Sequence, residues 1–115
     1  MKHTITVEDN GNMYIKIIGD GDAAVAKEFV DTAYALFDKY PGKRFNGIVD
    51  MLESGTSDYE GIKIYRDFLK SDRIGKVAFV IKDPIVIALV KVATEFKKDA
   101  DFFESVEEAR EWLAK

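Results

Sequence analysis

Short β-rich runs alternate with segments of helical periodicity along almost the whole chain, and this alternation restricts the fold more than any other feature of the sequence. Residues 3–8 alternate polar and apolar, with Ile5 and Val7 on one face, and Met13 to Gly19 form a second β-rich run. Between them Asp9-Asn10-Gly11-Asn12 carries Asn-Gly, a pair that tolerates the positive φ of a tight hairpin turn. Gly19-Asp20-Gly21-Asp22 then turns the chain into a helix marked by Phe29, Ala33, Leu36, Phe37 and Tyr40, and Pro41-Gly42 stops it. Phe45 to Met51 reads as a strand, Glu53 to Thr56 as a polar loop, and Ser57-Asp58-Tyr59-Glu60 as a capping box. That box opens a second helix with Ile62, Tyr65, Phe68 and Leu69 on its inner stripe. Gly75 to Ile81 is almost continuously apolar, as a strand covered on both faces would be. Asp83-Pro84, an N-cap followed by proline at the first helical position, starts a third helix. Phe102-Phe103 forms a last strand, and Ser105-Val106-Glu107-Glu108 is a second capping box before a helix carrying Ala109, Trp112 and Leu113.

The predicted order is ββαβαβαβα. Strands alternating with helices call for right-handed crossovers and a largely parallel sheet, with the opening hairpin adding an antiparallel edge. We therefore expect one α/β domain over residues 1–115, with a mixed, mostly parallel sheet. At 115 residues and 47% hydrophobic content the chain can bury one ordinary core and is not a disordered tail.

Composition removes several classes of chemistry. Without cysteine there is no disulfide framework, thiolate zinc site or cysteine nucleophile. A single histidine excludes a histidine-rich metal site within one chain, and no metal or other cofactor is expected. The net charge of −4 speaks against general affinity for nucleic acid or anionic lipid. The N-terminus lacks the apolar run of a secretory signal. The longest apolar stretch, Pro84 to Ala93, is broken by Lys91 and far shorter than the ~20 residues of a membrane span. A cytoplasmic protein with no membrane span is the expectation.

No catalytic set emerges. Gly19-x-Gly21 sits where a dinucleotide-binding loop would, but position 24 is alanine and Asp20 and Asp22 would repel a pyrophosphate, so a turn with an N-cap is expected. Asp50 ends a predicted parallel strand, where function gathers in open α/β sheets. The companions of a receiver-domain aspartate are missing, and Asp50 with Glu53 makes a poor magnesium site. A solvated strand-end carboxylate is the simpler reading. His3, the one histidine, is expected on the surface, and a Ser-His-Asp triad could use no other. Lys43-Arg44 and Lys97-Lys98 read as solvated ends of elements.

Two features carry more. Ser57 is expected to cap the second helix, and a helix N-terminus also tolerates negative charge, which makes it a candidate phosphoacceptor. At about 100° per residue, Ala88, Val92, Ile85, Phe96, Leu89, Ala93, Val86 and Val90 of the third helix span an apolar arc of roughly 200°. A helix on one sheet needs a stripe of little more than ~100°. With Ile85 and Phe96 central and Val86 and Val90 at the flank, the excess around Val86, Ile87 and Val90 must meet another helix, a protein partner or second subunit, or an apolar ligand.

The order of elements, with Gly47-Ile48-Val49-Asp50-Met51, Gly75-Lys-Val-Ala-Phe-Val-Ile81 and above all Phe102-Phe103-Glu-Ser-Val-Glu-Glu-Ala109-Arg-Glu-Trp112-Leu113, resembles the SpoIIAA-like group of the STAS (sulfate transporter and anti-sigma-factor antagonist) fold, related to the Sec14 or CRAL-TRIO lipid-binding fold. The resemblance implies a STAS-like domain. It places Thr56-Ser57-Asp58-Tyr59 where anti-sigma-factor antagonists carry a phosphorylatable serine, with Ser57, or Thr56 beside it, as the corresponding hydroxyl. The expected function is a non-enzymatic regulatory or binding module working through a protein partner or a homodimer. The alternative is a small carrier or sensor of an apolar, lipid-like ligand.

Overall fold

The computed structural model describes residues 3–115; Met1 and Lys2, part of the N-terminal stretch read as a strand, lie outside the described residues. Nine elements follow in the predicted order: β1 (His3–Val7), β2 (Met13–Gly21), α1 (Ala23–Asp38), β3 (Phe45–Ser57), α2 (Tyr59–Phe68), β4 (Ile74–Val80), α3 (Pro84–Ala93), β5 (Ala100–Phe103) and α4 (Val106–Leu113). The strands form one sheet in the order β1-β2-β3-β4-β5, antiparallel between β1 and β2 and parallel thereafter. The hairpin closes through Gly11, whose φ of 88° only glycine adopts without strain, and whose amide donates to the Glu8 carbonyl at 2.8 Å.

Because successive strand residues point to opposite faces, the two sides of the sheet carry separate cores. On one side Phe29, Ala33 and Phe37 of α1 and Phe68 of α2 meet Ile15, Val49, Val77 and Phe79 of the sheet. Aromatic rings fill this layer: Phe37 stacks on Phe45 at 5.5 Å, and Phe29 meets Phe68 edge-on at 5.4 Å. On the other side Ala109 and Leu113 of α4 cover Ile48, Ala78 and Val80. Apolar residues at adjacent positions of β3 and β4 thus reflect helices on both faces. Trp112 is half-buried against Phe103, with centroids 5.5 Å apart and Lys76 Nζ 5.1 Å above the indole.

Four local expectations need correction. First, β3 does not stop at Met51. Its polar extension pairs irregularly with β2, Ile18 opposite Glu53, Gly19 opposite Ser54 and Gly21 opposite Ser57. Asp20 Oδ1 holds the junction by accepting from the Thr56 amide at 2.8 Å, and a Cβ on Gly55 would lie 1.9 Å from that oxygen. Second, α2 is capped by Asp58, whose carboxylate accepts from the Gly61 amide at 2.7 Å, because β3 keeps Ser57 as its last residue. Third, Asp50 is a buried mid-strand residue and not a solvated strand end. It accepts a hydrogen bond from the Tyr14 hydroxyl and another from the Leu52 amide, on the face opposite Val49 and Met51. Fourth, α3 is rotated from its expected orientation. Val86, Ile87 and Val90 pack against the core, whereas Ile85 and Phe96, expected inward, face out. The inner side is completed by Thr94, buried because its hydroxyl donates to the Val90 carbonyl of its own helix at 2.7 Å.

Candidate functional site

A cavity of about 150 Å³ lies between the sheet and the helices of the α1–α3 face. Its floor is Ile15 and Ile17 of β2 with Val49 and Met51 of β3. The irregular pairing beyond these residues brings Gly19, Gly21 and Ser54 to Ser57 to one end. Phe29 of α1 and Ile62 and Tyr65 of α2 close it from above, and Val90, Ala93 and Thr94 form the α3 side.

Few polar groups reach this apolar wall. His3 is buried, not on the surface as expected, and shares a hydrogen bond of 2.6 Å between Nε2 and the Tyr65 hydroxyl. Burial lowers the imidazole pKa from 6.5, with Glu28 opposing, so the ring is neutral at pH 7. Burial also pushes the Tyr65 hydroxyl up to about 12. The Ser57 hydroxyl is buried and has no hydrogen-bond partner, and a Cβ on Gly61 would come within 2.5 Å of it. Arg66 Nε is likewise buried without a hydrogen bond, since Asp67 Oδ1 at 4.0 Å is out of reach. Among the described residues no aspartate or glutamate lines the cavity.

Of the candidate site residues Ser57, Val86, Ile87 and Val90, two line the cavity: Ser57 at its strand end and Val90 on the α3 side. Val86 and Ile87 pack elsewhere on the same core. Sequence reasoning missed His3, Tyr65 and Arg66 as a group. The signals were present: His3 shares the inward face of β1 with Ile5 and Val7, and Arg66 falls one helical turn after Ile62, beside Leu69. His3 and Asp50 lie on opposite faces of the sheet, so they form no acid–base pair. Among the described residues no group of three or more His, Cys, Asp or Glu could hold a metal, and no helix is long and apolar enough to cross a membrane.

The second feature is the outer side of α3. Ile85, Leu89, Val92 and Phe96 are 72%, 60%, 75% and 42% exposed, and their spacing sets them in one line along the helix and its C-terminal extension. Lone exposed apolar residues are ordinary, but a contiguous line of four is the kind of patch that marks a contact surface.

No family model matches the sequence, and no curated protein matches it. Solved structures do. A protein of the DUF3478 family with a SpoIIAA-like fold from Shewanella loihica PV-4 superposes with a TM-score of 0.75 at 14% identity, over 96% of this chain and 91% of that one. The anti-sigma factor antagonist SpoIIAA in its unphosphorylated form gives a TM-score of 0.66 at 12% identity, over 97% and 96%. Identity this low speaks to architecture alone. The chain has a SpoIIAA-like fold.

Proposed function

We propose that the protein is a non-enzymatic binding or regulatory module that acts through protein–protein contact at the outer face of α3. The observation that carries this reading is the exposed line Ile85, Leu89, Val92 and Phe96. The neighbour described as an anti-sigma factor antagonist is a regulator sharing the fold, which agrees with it. The first occupant we assign is a second copy of this chain. The line has an apolar residue at each end, so two copies crossing antiparallel set Ile85 of one against Phe96 of the other about a two-fold axis. Exposed Lys91 and Glu95 on the same helical segment give the rim both signs of charge, which a second copy complements with its own. In this reading the module works in the cytoplasm without a cofactor and away from nucleic acid.

Sedimentation velocity tests it. Wild type should dimerise with rising concentration, and Leu89→Lys with Val92→Lys should give a folded monomer as stable as the wild type at concentrations where the wild type is itself monomeric. A wild type that stays monomeric at high concentration removes the second copy as occupant.

A second reading is favoured by a separate observation, the cavity beside Ser57 and Val90: a sensor or carrier of an apolar ligand. An engineered cavity of about 150 Å³ in another protein accepts benzene, which sets the scale of ligand this space holds. A whole acyl chain, as the Sec14-like resemblance would have it, requires α3 to move aside. Serine phosphorylation at Ser57 belongs to the regulatory reading and also needs an opening, because the hydroxyl lies covered under the first turn of α2.

A further inference from the structure

Resting on the second reading, that the cavity between the sheet and α2–α3 takes a ligand, we infer that it selects a small apolar carboxylic acid in its ionised form, the body among the apolar walls and the carboxylate between Arg66 and Ser57. The volume of about 150 Å³ limits the body to about the size of one aromatic ring or a short branched chain. Polarity and charge specify the rest. Of the groups on the wall, two buried donors lack a hydrogen-bond partner, the Ser57 hydroxyl and Arg66 Nε. Leaving such groups unpaired disfavours the empty state, and ligand oxygens that accept from them relieve it.

Among the described residues Arg66 carries the one formal charge on the wall at neutral pH, since His3 is neutral there and none of the described aspartates or glutamates lines the space. An anionic acceptor therefore gains a charge-assisted bond that a neutral one does not, and no like charge on the wall opposes it. A cationic ligand would face the guanidinium, whose one carboxylate neighbour among the described residues, Asp67 at 4.0 Å, lies off the cavity wall. A Cβ on Gly61 would lie 2.5 Å from the Ser57 hydroxyl, so glycine at this position leaves that oxygen room beneath α2.

Benzoate and benzyl alcohol, near-isosteric and differing in charge, separate the claims when titrated into the full chain at pH 7 by calorimetry and by shifts of the Val90 and Ala93 methyl resonances. We expect benzoate to bind about tenfold or more tighter than benzyl alcohol. In Arg66→Met, which keeps the aliphatic stem, the two should bind alike and benzyl alcohol should be little affected. Equal binding of both probes to the wild type would overturn the assignment of an anionic ligand and leave the cavity reading standing. If neither probe nor benzene shifts those methyl groups, the cavity takes no ligand and both fall.

Discussion

The hydroxyl of Ser57 and the carboxylate of Asp58 are neighbours in sequence with opposite energetic roles. Asp58 caps α2, so Asp58→Ala should lower stability by about 1 kcal/mol. Ser57→Ala removes a buried oxygen that bonds to nothing and should be neutral or slightly stabilising, measured as the shift in urea midpoint. The capping box was legible as a pattern but not in its phase. Serine and aspartate both cap, and only the added pairing of β3 with β2 decides which residue remains extended. His3 yields a prediction with a sign. Its folded pKa lies below 6.5, so near pH 6.5 and just below it the unfolded chain binds more protons than the folded one. The contribution is fully present above 6.5 and is lost as pH falls from there toward the folded value. His3→Gln should therefore flatten the acid side of the Tm–pH curve relative to wild type, while both curves run parallel above pH 7.

Helix α3 shows where sequence reading reaches its limit at the scale of an element. Its start, at Asp83 and Pro84, was fully legible, and Asp83 Oδ1 accepts from the Ile85 amide at 2.9 Å as the pattern required. Its orientation was not. A helix apolar over more than half its circumference has no single stripe to point inward, so the connections to β4 and β5 set the rotation. Thr94 adds to this: a threonine looks like a surface marker until its hydroxyl turns back onto its own helix. The rotation predicts unequal tolerance. Val90→Asp would put a charge on the core side and should cost about 3 kcal/mol. Leu89→Lys with Val92→Lys should change stability by no more than about 0.5 kcal/mol, since lysine favours helix and suits the C-terminal half of the dipole. Thermal and urea unfolding of the two variants read the contrast directly. In α4 the reading was more secure, because Ala109 and Leu113 leave one face to bury. Trp112 is a partial case, half-buried over Phe103, so Trp112→Ala should cost about 2 kcal/mol, less than a core tryptophan.

For the whole molecule, the alternation of periods sufficed to specify the sheet, because each helix between parallel strands must cover the sheet it has just left. The cavity was beyond reach. It is assembled from β1, β2, β3, β4, α1, α2 and α3, and four of its polar residues, His3, Ser57, Tyr65 and Arg66, are separated by up to 63 residues. No spacing rule joins them. The account rests most heavily on α3 being a contact surface between copies of the chain, and amide hydrogen exchange at two protein concentrations reads this without any mutation. If the outer face of α3 is buried in a dimer, exchange across Ile85 to Phe96 should slow as concentration rises, while α4 on the other face of the sheet stays unchanged. Exchange in α3 that is fast and independent of concentration, or protection that rises equally in α3 and α4, would contradict it.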